Sequence, residues 1–373
     1  MPECKFINVH CHLLNFDFVI PTFFRFMPAA GLDERLGDAI PFFRRYCRLA
    51  EWITLMNKDI HEVARDLVHE MQDANTIVFA TPLMIDLENT SHVKPQIPYE
   101  RQVEMLSAVA AKYPGILLPF IMFDPRREGI VDLTKKALEE MGFLGVKVYP
   151  PLGYHPDPSS PYNSNKTNHA LRQLYEYCHA NSIPITAHCS KGGAFRPDLA
   201  LDREAGLSLC HPSAWRGVLE KYGNLRLNFG HFGGCGEFMN VANSDSWAHE
   251  IVDLMKRFKH VYGDTSFHDD AFKPRSSDDY FGILYGLLGD KLISTRTIFG
   301  TDWLMTRRRW TEREYVQPFK TLGPELMHKI AFENPLAFLF PHFVLPRRIK
   351  HFYESKGIDL EDLDPWVSEH LLI

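Results

Sequence analysis

This chain lacks the marks of several large protein classes. Its seven cysteines, Cys4, Cys11, Cys47, Cys178, Cys189, Cys210 and Cys235, are odd in number, and no two stand in a CxxC spacing. That argues against a disulfide framework or a structural zinc knot and predicts reduced, mostly buried thiols. No run approaches the roughly 18 apolar residues of a membrane-crossing helix. Long basic runs are missing as well: the densest cluster, Thr306 to Arg309, is four residues long and the net charge is -6, so neither nucleic acid nor an anionic membrane is an expected partner. The opening MPECKFINVH leaves no room for a charged leader followed by an apolar core, which predicts a cytoplasmic protein. No internal repeat or low-complexity tract is visible.

What is present is ordinary in bulk and specific in pattern. Apolar residues make up 45% and charged residues 24% of 373, a composition able to bury one large core. Strand-like runs alternate with amphipathic ones. The strand candidates are 6–12, 76–81, 116–123, 145–149, 183–188, 225–231, 260–265 and 297–302, and between them 60–71, 103–113, 131–141, 171–178 and 251–258 carry apolar residues at helical spacing. A β-α rhythm with about eight strands predicts a parallel α/β barrel, with an open doubly wound sheet as the alternative. Two stretches depart from it. Residues 13–59, rich in Phe and Arg, form an insertion that reads either as packing helices or as a lid over a pocket, and its aromatic residues could supply an interface between copies of the chain. Residues 346–373 read as a C-terminal helical appendage of structural character.

Five side chains stand at the polar ends of these runs: His10 and His12 after FINV, His188 after IPITA, His231 after LRLNFG and Asp302 after TIFGT. Alternation puts His10 and His12 on one face of their strand with Cys11 on the other, so two imidazoles can share one ion at roughly 2.0–2.1 Å. In a barrel the active site gathers at the carboxyl ends of the strands, where all five donors fall. By the same alternation an inward His231 predicts inward Phe229, Leu227 and Leu225, and an inward Asp302 predicts inward Gly300 and Ile298. Around this set, Arg196 and Arg307 to Arg309 are candidate carboxylate anchors or solvated arginines. Tyr154 and His155 are candidate pocket residues or loop packing. Asp264 is expected to orient a ligand histidine or to cap a helix. Gly233, Gly234 and Gly236 read as room for close backbone approach rather than a phosphate cradle.

The segments VHCH, GFLGVKVYPPLGYHP, ITAHCS, HPSAWRGVLEKYGNLRLNFGHFGG, FGTDW and FENPLAFL, in that order from residue 5 to about 340, resemble the amidohydrolase superfamily in its amidohydrolase-2 branch. That branch also holds decarboxylases of the aminocarboxymuconate semialdehyde and γ-resorcylate type. The resemblance implies a distorted (β/α)8 barrel with a metal site at its mouth. His10, His12, His188 and Asp302 would hold one divalent ion, zinc first among the candidates, and His231 would move protons and orient substrate. Relatives with two ions place His188 and His231 on the second and a carbamylated bridging lysine where Lys147 stands. The GVKVYPP form favours one ion and an unmodified Lys147 that binds a substrate carboxylate; a lysine reaching out of the barrel mouth is the plain alternative. The activity implied is hydrolysis of an amide, ester or lactone in a small carboxylated or cyclic molecule. Non-oxidative decarboxylation, or a metal-binding barrel without catalysis, are the other readings.

Overall fold

The computed structural model describes residues 5–19, 39–89 and 94–372, with the side chains of 39–46 and of Pro197 left aside. Eight strands run in parallel: β1 (Phe6–Cys11), β2 (Ile77–Pro82), β3 (Phe120–Met122), β4 (Gly145–Val148), β5 (Pro184–Ser190), β6 (Arg226–Gly233), β7 (Val261–Asp264) and β8 (Thr297–Ile298). β1 pairs with β2, and β3 to β8 pair in sequence order as a second sheet. Single bridges close the ring, Leu83 with Phe120 between β2 and β3 and Cys11 with Trp303 between β1 and the end of β8. The result is an α/β barrel of parallel strands.

Two predicted strands shrink for a visible reason. The run 116–123 keeps only three ladder residues because Leu117 bridges back to Ala80, and 297–302 keeps two because the chain turns to β1 beyond Ile298. The amides of Thr301 and Asp302 both donate to the His10 carbonyl, at 3.2 and 2.7 Å. The helices follow their sequence signals. In Ile60–Ala74 an apolar stripe of Ile60, Val63, Ala64, Leu67, Val68 and Met71 is buried, Asp59 caps the first turn through the amides of His61 and Glu62, and Asn75 ends the helix in the left-handed region.

Of the predicted insertion, residues 20–38 lie outside the described part; the remainder includes helix Ala39–Met56, whose Trp52 Nε1 donates to the Leu304 carbonyl at 2.7 Å. The C-terminal residues form helices Arg347–Ser355 and Pro365–His370. They cover the amino-terminal end of the barrel, where Phe79, Phe340 and Trp366 pack with ring centroids 5.2 to 6.2 Å apart. Cys11, Cys178, Cys189 and Cys210 are buried free thiols, Cys47 and Cys235 are half-buried ones, and Cys4 lies outside the described residues. No helix among the described residues is long and apolar enough to cross a membrane.

Candidate metal centre

Ladder register sets which side chains enter the barrel. Lys147 pairs with Thr186, Thr186 with Asn228 and Asn228 with Tyr262, so these four occupy one inward row; His188 and Gly230 pair one row higher. Asn228 confirms the direction by donating from Nδ2 to Asp264 Oδ2 at 2.7 Å. The residues between face the helices: Leu225, Leu227 and Phe229 belong to the outer core, and Phe229 meets Trp215 edge-on at 6.3 Å. The expected inward Leu225, Leu227 and Phe229 are therefore corrected. His231 reaches the interior because its backbone leaves the strand alternation at φ +66°, and Asp302, on the inward side with Ile298 and Gly300, also stands at positive φ, +59°. Left-handed backbone is costly for such residues. It is held here by the His231 amide donating to Asp264 Oδ1 at 2.9 Å and the Asp302 amide donating to His10 O.

The imidazole tautomers follow from what each ring touches. His12 Nδ1 lies 2.7 Å from the Leu83 carbonyl, which only accepts, so the proton sits on Nδ1 and Nε2 keeps its lone pair. That lone pair faces Asp302 Oδ1 at 3.1 Å. His10 Nδ1 lies 2.9 Å from Asp264 Oδ2, which leaves Nε2 bare, 3.8 Å from the same Asp302 oxygen. Both His10 Nε2 and Asp302 Oδ1 are buried with no hydrogen-bond partner. Three lone pairs thus converge without a proton among them, an arrangement that a divalent cation with nitrogen and oxygen ligands fits. His10, His231 and Asp264 form a second close group, with Asp264 gripping His10 from behind.

Electrostatics keep these roles apart. Burial pulls His10 and His231 below the usual imidazole range, His231 to about 3 with His10 adding to the effect, so both rings are neutral at pH 7. Burial alone would raise Asp264 and Asp302. The surrounding histidines overcome it, His10 at Asp264 and His12 at Asp302, and hold both carboxyls below their ordinary values. Ser266, which the sequence reading passed over, joins the two histidines: its Oγ is 3.0 Å from His10 Nδ1 and 2.9 Å from His231 Nδ1, and it donates to Asp264.

A cavity of about 390 Å3 opens above this cluster, lined in part by His12, Lys147, Tyr149, His188, His231 and Asp302. Lys147 is fully buried and its Nζ has no hydrogen-bond partner, so a lysine reaching out to solvent is not what the chain builds. Burial lowers its pKa to about 8 against the pull of Asp264 and Asp302. His188 borders the cluster without joining it: its Nε2 donates to the Gly192 carbonyl at 2.9 Å and its ring stacks on Tyr149 at 4.1 Å.

Three sequence candidates fall outside the cavity. The Tyr154 hydroxyl is buried between the Tyr149 amide and the Phe123 carbonyl. His155 uses Nδ1 to accept from the Asp157 amide within its own loop, and Arg196 is neutralised by Asp198 at 2.6 Å. Arg308 lines the cavity instead. Tyr149 went unnoticed for want of a motif, although its place one residue past β4, two after Lys147, aims it at the same mouth.

Comparison with known proteins bears on the fold and the family. No match was found among curated proteins. Among solved structures, a 5-carboxyvanillate decarboxylase from Novosphingobium aromaticivorans, complexed with manganese and 4-hydroxy-3-methoxy-5-nitrobenzoic acid, is 12% identical and aligns over 91% of this chain and 99% of its own with a TM-score of 0.57. An uncharacterised TIM-barrel protein from Bordetella bronchiseptica is 18% identical over 90% and 98% of the two chains with a TM-score of 0.56. A probable 2-pyrone-4,6-dicarboxylic acid hydrolase from Acinetobacter baumannii, solved with citric acid bound, is 13% identical over 90% and 99% with a TM-score of 0.53. At these identities the likeness is one of fold. The sequence profile described as amidohydrolase matches residues 7–340, and with that span the chain belongs to the amidohydrolase family.

Proposed function

We propose that this chain, acting as one barrel domain over residues 1–373, is a metal-dependent hydrolase that opens an amide, ester or lactone bond in a small carboxylated or cyclic organic molecule. The observation that carries the reading is the convergence of His10 Nε2, His12 Nε2 and Asp302 Oδ1, buried and without a shared proton, beneath a cavity of about 390 Å3. These three residues would hold one divalent ion, with His188 joining once its Nε2 leaves the Gly192 carbonyl. Imidazole and carboxylate donors suit zinc, and the manganese in the Novosphingobium decarboxylase makes that ion the other candidate. Such an ion lowers the pKa of a water toward about 7 and polarises a substrate oxygen.

The chain's own groups supply the rest. Asp302, ionised and facing the cavity, takes a proton from the attacking water and returns it to the leaving group. His231, neutral with its Nδ1–H donated to Ser266, presents a bare Nε2 that orients the substrate by accepting a hydrogen bond from it. Lys147 offers an unshared ammonium to a substrate carboxylate beside the ligands.

That last contact favours decarboxylation as the second reading, since the carboxylate held by Lys147 could itself be the departing group. The readings separate by product. Purified protein loaded with zinc or manganese and offered carboxylated lactones, amides and aromatic acids is expected to release acid without carbon dioxide. Carbon dioxide release would replace the hydrolase reading with the lyase one, and silence toward every substrate despite full metal loading would leave a binding barrel.

A further inference from the structure

The three arginines that follow Asp302 are adjacent in sequence and unlike in surroundings. Arg307 is paired with Glu70 and with Glu51, and Arg309 with Asp269. Arg308 has no carboxylate partner among the described residues, and it alone of the three lines the cavity. Its Nε donates to the Met305 carbonyl at 3.0 Å, which fixes the plane of the guanidinium and leaves the terminal nitrogens unclaimed by that bond. The ring of Trp52 lies 5.9 Å from the guanidinium carbon. Through Nε1, Trp52 also ties down Leu304, which sits at φ +80° two residues past Asp302. Trp52 belongs to helix Ala39–Met56, so the insertion after β1 takes part in shaping the cavity wall.

Two cations therefore line one cavity, the buried ammonium of Lys147 and the half-buried guanidinium of Arg308, and neither has a protein carboxylate within ion-pair distance among the described residues. Cations withdrawn from water without partners are unfavourable, and a guanidinium held in plane is preorganised for a two-oxygen acceptor. We propose that Lys147 and Arg308 form a two-point anion site and that the substrate is a small dicarboxylate, one carboxylate on each cation, with Arg308 and its Trp52 support setting the preference for the second charge. This rests on the cavity being the substrate site of the hydrolase proposed above.

Binding of simple acids tests it without any turnover. Titration calorimetry with isophthalate and benzoate, on metal-loaded and metal-free protein, is expected to give isophthalate an advantage of about tenfold or more. Arg308→Met should reduce that advantage to about twofold or less, and Arg308→Lys, which keeps charge but not the fork, should restore part of it. Trp52→Phe should lower it by a smaller factor. Circular dichroism melting checks each variant, and if Arg308→Met does not fold the comparison rests on Arg308→Lys and Trp52→Phe. Equal affinity of the wild-type protein for the two acids, or an unchanged ratio in the folded Arg308 variants, overturns the proposal. A strong isophthalate preference in a protein that hydrolyses nothing would keep the dicarboxylate site and discard the hydrolase reading.

Discussion

The two ends of the barrel are built by different rules. At the amino-terminal end apolar side chains close the barrel: Ile7, Val9, Phe79, Phe120, Tyr262 and Ile298 fill the interior and meet Phe338, Trp366 and Tyr353 from the C-terminal segments. At the carboxyl end alternation fails where chemistry is needed. His231 and Phe232 at the end of β6, Phe267 after β7, and Asp302 and Leu304 after β8 have positive φ without being glycine. Such residues cost roughly 1–3 kcal/mol each and persist only where their surroundings over-determine them. One end supplies the stability that lets the other hold strained backbone and uncompensated lone pairs.

The sharpest way to break this division is to cross it. Asp302→Asn is expected to lower kcat by about 10²–10⁴-fold and to weaken metal binding, while the melting temperature of the metal-free protein stays nearly constant, because asparagine tolerates left-handed backbone well. Trp366→Ala at the opposite end should destabilise by about 3–5 kcal/mol, losing both the indole packing and the bond from Nε1 to the Gly115 carbonyl, yet bind metal with unchanged stoichiometry. Denaturant melts and metal analysis of both variants check the pair. Metal loss from Trp366→Ala, or a large drop in stability from Asp302→Asn, would mean the ends are coupled.

Glu312 tests the boundary between the ends. Its Oε1 accepts from Thr301 Oγ1 at 2.7 Å and from Asn8 Nδ2 at 3.3 Å, clasping β1 to the segment after β8, while Oε2 is buried without a partner. Burial pushes its pKa up to about 8. The folded state therefore holds this proton more tightly than the unfolded chain, where the carboxyl titrates near its ordinary 4.5. The stability tied to the proton is fully present below that lower value and is lost as pH rises toward about 8, by an amount of the order of a few kcal/mol. Glu312→Gln, an isostere of the protonated acid, should abolish that slope, so that urea midpoints of variant and wild type converge near pH 5 and separate by pH 8 in favour of the variant. Parallel curves across that range would show that the wild-type carboxyl is already ionised.

Much of the candidate site was legible in the sequence because polar donors at strand ends break apolar runs. FINV, IPITA and TIFGT each stop at a donor that the structure brings to the barrel mouth. His231 was found for a reason that does not hold, since its strand turns Phe229 outward and a left-handed residue reverses the facing. Backbone strain of that kind leaves no periodic signature. The choice among arginines was equally hidden: Arg196 and Arg308 look alike until Asp198, two residues after the first, is seen to neutralise it. A signal passed over was the pair of asparagines Asn8 and Asn228, each inside an apolar run. A buried amide needs partners, and these two meet Thr301 and Asp264 beside the ligands.

The smallest expected effect probes how closely the two rules meet. Gly230 continues the orderly inward row of β6, yet a Cβ there would stand 3.0 Å from His10 Cε1 and 3.2 Å from the Ala187 carbonyl. The carbonyl belongs to the β5 ladder and cannot yield, so the imidazole must, and its Nε2 is one of the three converging donors. Gly230→Ala should therefore weaken metal affinity by about tenfold, comparable to disturbing an outer partner of a ligand, with a stability change within about 1 kcal/mol. Gly236→Ala is the control, because a Cβ at that position meets nothing within 4 Å, and its metal affinity should match wild type. Competition with a chelating dye reads both. If the two alanine variants bind metal equally well, His10 has slack in its seat, and the polar end of the barrel is less tightly determined than its strained backbone implies.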